Sequence, residues 1–132
     1  MIKSPYLEQL EKRLHAVSPG IYQRLPDLDQ LPKSKALEVV VILLTNACQS
    51  QNEENIRLGR NGLEAIPPSW LQTILPEAIE KSLNLDDEWE YRRLLEVIHD
   101  LLPELLPGYV NRGLASQDSE IRETANDFVK PD

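Results

Sequence analysis

Apolar residues recur along most of the chain at intervals of three and four positions, which is the spacing of one face of an α-helix. The first such stripe, Leu7, Leu10 and Leu14, follows Ser4 and Pro5, a pair that suits a helix start. Further helices are predicted at 33–47, 51–65, 69–83, 86–102, 103–115 and 119–129. No segment alternates apolar and polar residues for long enough to form a strand. We therefore predict an all-α fold of about seven helices.

Two segments need separate interpretation. Between Ile21 and Pro32 the chain contains breaking prolines and turn-forming aspartates, so we expect irregular structure with at most a short helical turn over 21–25. The continuous apolar run from Val39 to Leu44 is compatible with a buried strand. We favour a helix because no breaker separates this run from the helix-forming residues before it. Its apolar residues exceed one face, so we expect this helix to be central and covered on two sides.

An internal repeat relates two long segments without a gap at an offset of 35 residues, which places Leu75 on Val110. The other matched pairs are Asn52 with Asp87, Ile56 with Tyr91, Arg57 with Arg92, Leu63 with Ile98, Pro68 with Pro103, Leu71 with Leu106 and Ile79 with Leu114. The match covers two helices and the turn between them. The repeating unit is therefore predicted to be a helical hairpin.

This pattern resembles the HEAT-repeat family of helical solenoids, within the wider armadillo-like group. The shared features are an acidic or amide cap, an apolar–Arg pair, a proline turn and a second apolar helix; the segment 118–125 matches most clearly. The resemblance covers roughly 33–129 and implies a short right-handed α–α superhelix. Pro76 and Pro107 inside the second helices depart from the regular pattern, and the first unit lacks a clean first helix.

The length of the chain predicts a single domain, 1–132, which is then divided with the help of the resemblance. The resemblance assigns a capping helix at 4–17, a partial repeat at 33–48, full repeats at 52–84 and 87–115, and a second capping helix at 118–129. Stacked hairpins bury a continuous core only where a neighbour covers them. Both ends of this stack look only partly capped.

Composition narrows the classes of partner. The 132 residues carry a formal net charge of -8, which argues against binding duplex nucleic acid or an anionic membrane and favours a basic partner. The single cysteine excludes a disulfide within the chain. The longest apolar run is too short for a bilayer, and the first residues lack the apolar run of a signal peptide. We expect a cytoplasmic protein.

No set of residues predicts catalysis, a cofactor or a metal site. Cys48 ends an apolar helical face without a nearby base, so we interpret it as a core residue. His15 and His99 are read as surface residues; Glu96 and His99 form a single Glu-x-x-His pair, whereas di-iron bundles use two. The acids at 86–88 lack the pattern of a calcium loop and are explained by helix capping.

The remaining singular residues have structural interpretations. Arg57, Arg92 and Arg122 occupy equivalent positions, and in HEAT-like repeats such arginines tie adjacent units together. Gly59 and Gly62 inside a predicted helix either permit close contact with another helix or weaken their own.

We predict a non-catalytic protein–protein interaction module, for which an immunity protein or an adaptor is the analogy. In HEAT-like proteins the second helices line the concave face, and we add the acidic run at 86–88 with Trp89 as a further contact surface. The candidate contact residues are Lys35, Glu38, Thr45, Gln72, Thr73, Glu80, Asp86, Asp87, Glu88, Trp89, Glu104, Asn111 and Arg112. The alternatives are a homo-oligomeric structural protein and, less favoured by charge, a small helical-repeat enzyme or nucleic-acid-processing protein.

Overall fold

The computed structural model describes residues 3–129, and its regular secondary structure is entirely helical across that range. Seven α-helices and a ten-residue 3-10 segment succeed one another, which is one helical element more than the pattern predicted. The bounds are α1 Pro5–Val17, the 3-10 segment Ile21–Gln30, α2 Lys33–Gln49, α3 Glu53–Glu64, α4 Pro68–Ser82, α5 Glu88–Leu101, α6 Leu106–Leu114 and α7 Ser119–Asp127. A single 3-10 turn, Pro103–Leu105, leads into α6. The predicted all-α fold is confirmed.

Side-chain caps fix where four of these helices begin. Ser4, Asn52, Asp87 and Asp118 each accept a backbone N–H from the first turn of the helix that follows. Such a cap stabilises a helix by about 1 kcal/mol because it satisfies a donor that has no partner within the helix. Asn52 and Asp87, which the repeat superposes, therefore both cap the start of a helix.

The segment after α1 is more ordered than the sequence led us to expect. Helical turns run through Ile21–Gln30, with non-helical backbone angles at Arg24 and Asp27. The expectation of one turn at most was wrong because Ile21, Leu25 and Leu28 are all buried in the core. Pro26 lacks the N–H of a regular α-helix, and the tighter turns accommodate it while keeping the buried positions inward.

Helix α2 is the centre of the fold. The continuous apolar run is helical rather than extended, and Val39, Val40, Leu43 and Leu44 have no exposed surface. The helix packs against α1, α3, α4 and α5. The prediction of a central helix covered on more than one side is confirmed.

Two glycines of α3, Gly59 and Gly62, lie at its contact with α2. A Cβ atom built on Gly59 would lie 2.6 Å from backbone atoms of Leu43 and Ala47. A Cβ atom on Gly62 would lie 2.5 Å from a methyl carbon of Leu43. Atoms do not pack that closely, so a larger residue at Gly59 would force the two backbones apart, and one at Gly62 would displace the side chain of Leu43. Of the two outcomes considered for these glycines, close helix contact is the one found.

The order of packing differs from the hairpins that the repeat predicts. The repeat pairs α3 with α4, but each of these helices packs extensively against α2 instead. In the second half of the chain, α5 contacts α2, α6 and α7, and α6 packs most extensively against α7. Within residues 3–129, α2 organises the first half and α5–α7 form the second.

Replacing Gly59 by Ala tests the α2–α3 contact. We expect the substitution to lower the free energy of unfolding by about 1–3 kcal/mol, because overpacking against backbone outweighs the gain of roughly 1 kcal/mol in helix propensity. Gly108→Ala is the matched control, since a Cβ atom there meets nothing within 4 Å. It should stabilise α6 slightly. Urea denaturation followed by circular dichroism measures both, and equal stability of Gly59→Ala and the unsubstituted protein would contradict the contact.

Candidate functional site

The predicted contact residues on the second helices are mostly exposed, and one pair of them makes a direct bond. Arg112 on α6 donates to Glu80 on α4 at 2.9 Å, so these two side chains join the helices as well as facing solvent. The hydroxyl groups of Thr45 and Thr73 donate to carbonyl groups one turn earlier in their own helices. The other members on these helices are exposed except the half-buried Gln72; they are Lys35, Glu38, Glu104 and Asn111.

The acidic run before α5 serves largely to anchor that helix. Asp87 accepts the N–H of Glu90 at 3.0 Å, which confirms the capping interpretation for this residue. Glu88 accepts a hydrogen bond from Thr124 on α7 at 3.1 Å. Asp86 is exposed. Of the three predicted acidic contacts, Asp87 therefore caps α5 and Glu88 links α5 to α7.

Trp89 is 40% exposed and stacks against Arg93 one turn later. The guanidinium carbon lies 4.2 Å from the centre of the ring, a cation–π contact worth about 0.5–1 kcal/mol at an exposed site. Arg93 also donates to Glu96 at 2.8 Å. The tryptophan is thus fixed by the chain itself, and only part of its ring remains available to a partner.

Cys48 is buried in the core, and each of the two histidines is hydrogen-bonded to a nearby residue. Cys48 is fully buried, and this burial raises the pKa of its thiol to about 12, so the thiol stays protonated at neutral pH. His15 Nδ1 accepts the N–H of Gly20 at 3.1 Å. His99 Nδ1 lies 3.0 Å from Asp100 Oδ1, and this hydrogen bond is the main reason that the pKa of Asp100 falls below its usual value.

The three equivalent arginines behave differently from one another. Arg92 donates to Asp127 at 2.9 Å and to Thr124 at 3.3 Å, both in α7, and also pairs with Glu88 in its own helix. Arg57 pairs with Glu54 in its own helix. Arg122 donates to a backbone carbonyl in the preceding loop. A link between units is found for Arg92, which attaches α7 to α5.

An apolar groove that the sequence analysis did not predict lies at the end of the bundle formed by α5, α6 and α7. Its floor is Leu106, Val110 and Leu114 of α6, and Phe128 and Val129 form one wall. We name the groove formed by this floor and wall the C-terminal groove. Its volume is about 610 Å³, and Leu114 and Val129 are 39% and 47% exposed.

The polar rim of the C-terminal groove is sparse. His99 closes one side with its ring edge-to-face against Phe128, the centroids 6.3 Å apart. Asn111, one of the predicted contact residues, also lines the groove, and Asp127 contributes a carboxylate. Among the described residues that line it, none is Lys or Arg.

The groove was missed because its residues look like core residues in the sequence. At the 35-residue offset, Leu106, Val110 and Leu114 match a stripe of α4 that is fully buried; the matching residues are Leu71, Leu75 and Ile79. The two stripes have equivalent chemistry, and burial depends on which helix lies beside each. The signal that could have found the groove was the partly capped end of the repeat.

Two other depressions are lined mainly by charged and polar side chains. The larger, about 770 Å³, lies between α1 and the 3-10 segment and contains the ion pair of Lys3 with Glu11. The smaller, about 340 Å³, is lined by arginines of α3 and α5, each paired with a carboxylate: Arg57 with Glu54, Arg60 with Asp100 and Arg93 with Glu96. Charges in the smaller cleft are therefore compensated locally.

Residues 3–129 contain no group of three or more His, Cys, Asp or Glu arranged to hold a metal ion. None of the helices described over that range has the length and apolar character needed to cross a membrane. No protein-family model, curated protein or solved structure matches the chain.

The buried thiol predicts a fall in stability at alkaline pH. In the unfolded chain Cys48 ionises near its ordinary value of 9.0, whereas in the fold it stays protonated up to about 12. The folded state then holds more protons, so the free energy of unfolding decreases as pH rises above about 9. Burial also raises the pKa of Tyr91, which acts in the same direction at higher pH.

Urea unfolding at about pH 8 and about pH 10.5 measures this effect. Cys48→Ala should lose less stability over the interval than the unsubstituted protein, because one of the groups that titrates differently has been removed. The comparison is of the pH dependence, so a constant cost of the substitution does not affect it. An identical fall in the two proteins would refute the assignment to Cys48.

Arg92→Gln and Arg57→Gln form a matched pair at equivalent repeat positions. Arg92 bonds across to α7, so its loss should cost about 1–2 kcal/mol and speed hydrogen exchange in α7. Arg57 makes an exposed pair within one helix, so its loss should cost less than about 0.5 kcal/mol. Equal effects on stability and on exchange in α7 would show that Arg92 has no special linking role.

Proposed function

We propose that this chain is a non-catalytic protein–protein interaction module that receives its partner in the C-terminal groove. The observation that carries the proposal is the combination of an apolar floor with the half-exposed side chains of Leu114 and Val129. An apolar groove open to water is a candidate interaction site, because covering its side chains with a partner is favourable. An adaptor or an immunity protein directed at a basic toxin fits this description.

The state of the ionisable residues supports a non-catalytic role. A nucleophilic cysteine needs a lowered pKa, and burial moves the pKa of Cys48 in the opposite direction. The arginines of the α3–α5 cleft are each paired with an acid of their own surroundings. Neither arrangement has the unpaired, convergent polar groups that catalysis requires.

We further propose that the helices descend from a HEAT-like repeat whose stacking has become irregular. The equivalent caps Asn52 and Asp87 and the equivalent apolar stripes of α4 and α6 support this interpretation. The close packing of α3 on α2 is the departure from a regular right-handed superhelix. In this view the groove is a face of the stack that no helix within residues 3–129 covers.

A homo-oligomeric structural protein is the second candidate, because a second copy could cover the same apolar residues. The formal net charge of -8 on each chain disfavours a homo-oligomer, since two copies would repel each other. Size-exclusion chromatography with light scattering separates the candidates. A monomer at high protein concentration and physiological salt supports the interaction module, and a dimer that persists there supports the oligomer.

Leu114→Asp tests the proposed function. The protein carrying an affinity tag should retain a stoichiometric partner from native lysate, and Leu114→Asp should reduce the recovered partner by at least about tenfold, because a carboxylate in the groove is costly to desolvate. Tyr6→Asp is the matched control, since Tyr6 is 38% exposed on α1 and the charge change is the same. Equal recovery with both variants would place the binding surface elsewhere and overturn the proposal.

A further inference from the structure

We propose that the C-terminal groove binds one amphipathic α-helix of a partner protein, with a Lys or Arg of that helix placed against Asp127. This inference rests on the proposed function and specifies its ligand. It is carried by three observations: the linear form of the groove floor, the way the chain covers the equivalent stripe in its own core, and the charge at the rim.

The floor of the groove is a row along a single helix. Leu106, Val110 and Leu114 are spaced by four residues on α6, so they span about 12 Å at the rise of an α-helix. A helix with apolar residues at positions i, i+3 or i+4 and i+7 presents a row of similar length. Such a helix can lie along the floor with its side chains between those of α6.

The internal repeat shows what covers a stripe of this kind. The matching stripe on α4, Leu71, Leu75 and Ile79, is at most 2% exposed, and α4 packs extensively against the helix α2. The stripe on α6 has α7 beside it, but Leu114 stays 39% exposed. One more helix would give the α6 stripe the burial that its counterpart has.

Other ways of holding a peptide fit less well. Addition of an extended strand needs an exposed sheet edge, and the chain has no strand between residues 3 and 129. A second copy of the chain would bring two formal net charges of -8 together. A helix from a different protein avoids both difficulties.

The rim of the groove favours a basic helix. Asp127 lines the groove and accepts a hydrogen bond from Arg92 through Oδ2. A carboxylate has several acceptor positions, so Oδ1 can also accept from a Lys or Arg of the partner. Arg92 offsets part of the charge of Asp127, but the described residues that line the groove include no Lys or Arg. The formal net charge of -8 on the chain therefore favours a cation at this rim.

The test uses three fluorescein-labelled synthetic helical peptides, with fluorescence anisotropy as the readout. The first carries a leucine face flanked by Lys, the second has the same face flanked by Glu, and the third scrambles the first so that no leucine face forms. We expect the first peptide to bind the full chain at least about tenfold more tightly than either of the others.

Two substitutions locate the binding. Leu114→Asp should weaken the Lys-flanked peptide by at least about tenfold, even though it adds a negative charge, and Tyr6→Asp should leave the affinity unchanged. Asp127→Asn should reduce the preference for the Lys-flanked over the Glu-flanked peptide by at least about threefold. Together these results would support a basic amphipathic helix in the groove.

Several results would overturn the inference. Equal binding of the three peptides, or an unchanged affinity in Leu114→Asp, rejects a basic helix in the groove. If Leu114→Asp abolishes partner capture but no peptide binds, the interaction module stands and the helix is rejected. If no peptide binds and the chain forms a dimer that Leu114→Asp dissociates, the occupant is a second copy. If peptides and capture both fail and the chain is monomeric, the proposed function fails as well.

Discussion

The backbone of α3 packs against the backbone of α2 at a distance that only glycine allows at position 59. A Cβ atom at Gly59 would clash with backbone atoms of Leu43 and Ala47. Rotation of a side chain could not relieve this clash. Most of the remaining fold follows from this contact. With α3 packed so closely on one face, α2 has other faces free to contact α1, α4 and α5. Its residues Val39, Leu43 and Cys48 have no exposed surface.

A core built around α2 leaves the second half of the chain with fewer partners. Helices α6 and α7 pack mainly on each other and on α5, whereas α5 itself packs most extensively against α2. The bonds of Arg92 to Thr124 and Asp127 hold α7 against α5. With α7 held in this position, Leu114 at the end of α6 stays partly exposed. Phe128 and Val129 line one side of the groove without covering Leu114 completely. The C-terminal groove is a consequence of how the helices are anchored.

Local features of the fold were predictable because they depend on neighbours in the sequence. Asn52 and Asp87 identify helix starts through the hydrogen bond that each accepts from its own first turn. The apolar run of α2 also indicated a central helix, since its apolar residues exceed one face. The 3-10 segment was underestimated because Pro26 suggested a break, whereas the burial of Leu25 and Leu28 kept the chain helical.

Features that depend on helix pairing were not predictable in the same way. The repeat relates α3–α4 to α5–α6 correctly in sequence, but it does not reveal that α3 packs on α2. The contact set on the second helices included Asn111 at the groove, and it omitted Leu114 and Val129 because apolar residues there resemble core residues. The acidic run beside Trp89 was predicted to be a binding surface. In the fold, Asp87 and Glu88 instead accept hydrogen bonds from residues of the chain itself.

The seating of α3 on α2 can be measured directly in a nuclear Overhauser spectrum of the isotope-labelled protein. The structure predicts strong cross-peaks from the Hα atoms of Gly59 to the amide proton of Ala47, because the position of a Cβ atom at Gly59 lies 2.6 Å from that nitrogen. Cross-peaks from Gly59 to residues of α4 in place of Ala47 would show that α3 pairs with α4 as a regular hairpin. That result would contradict the arrangement around α2 from which the groove follows.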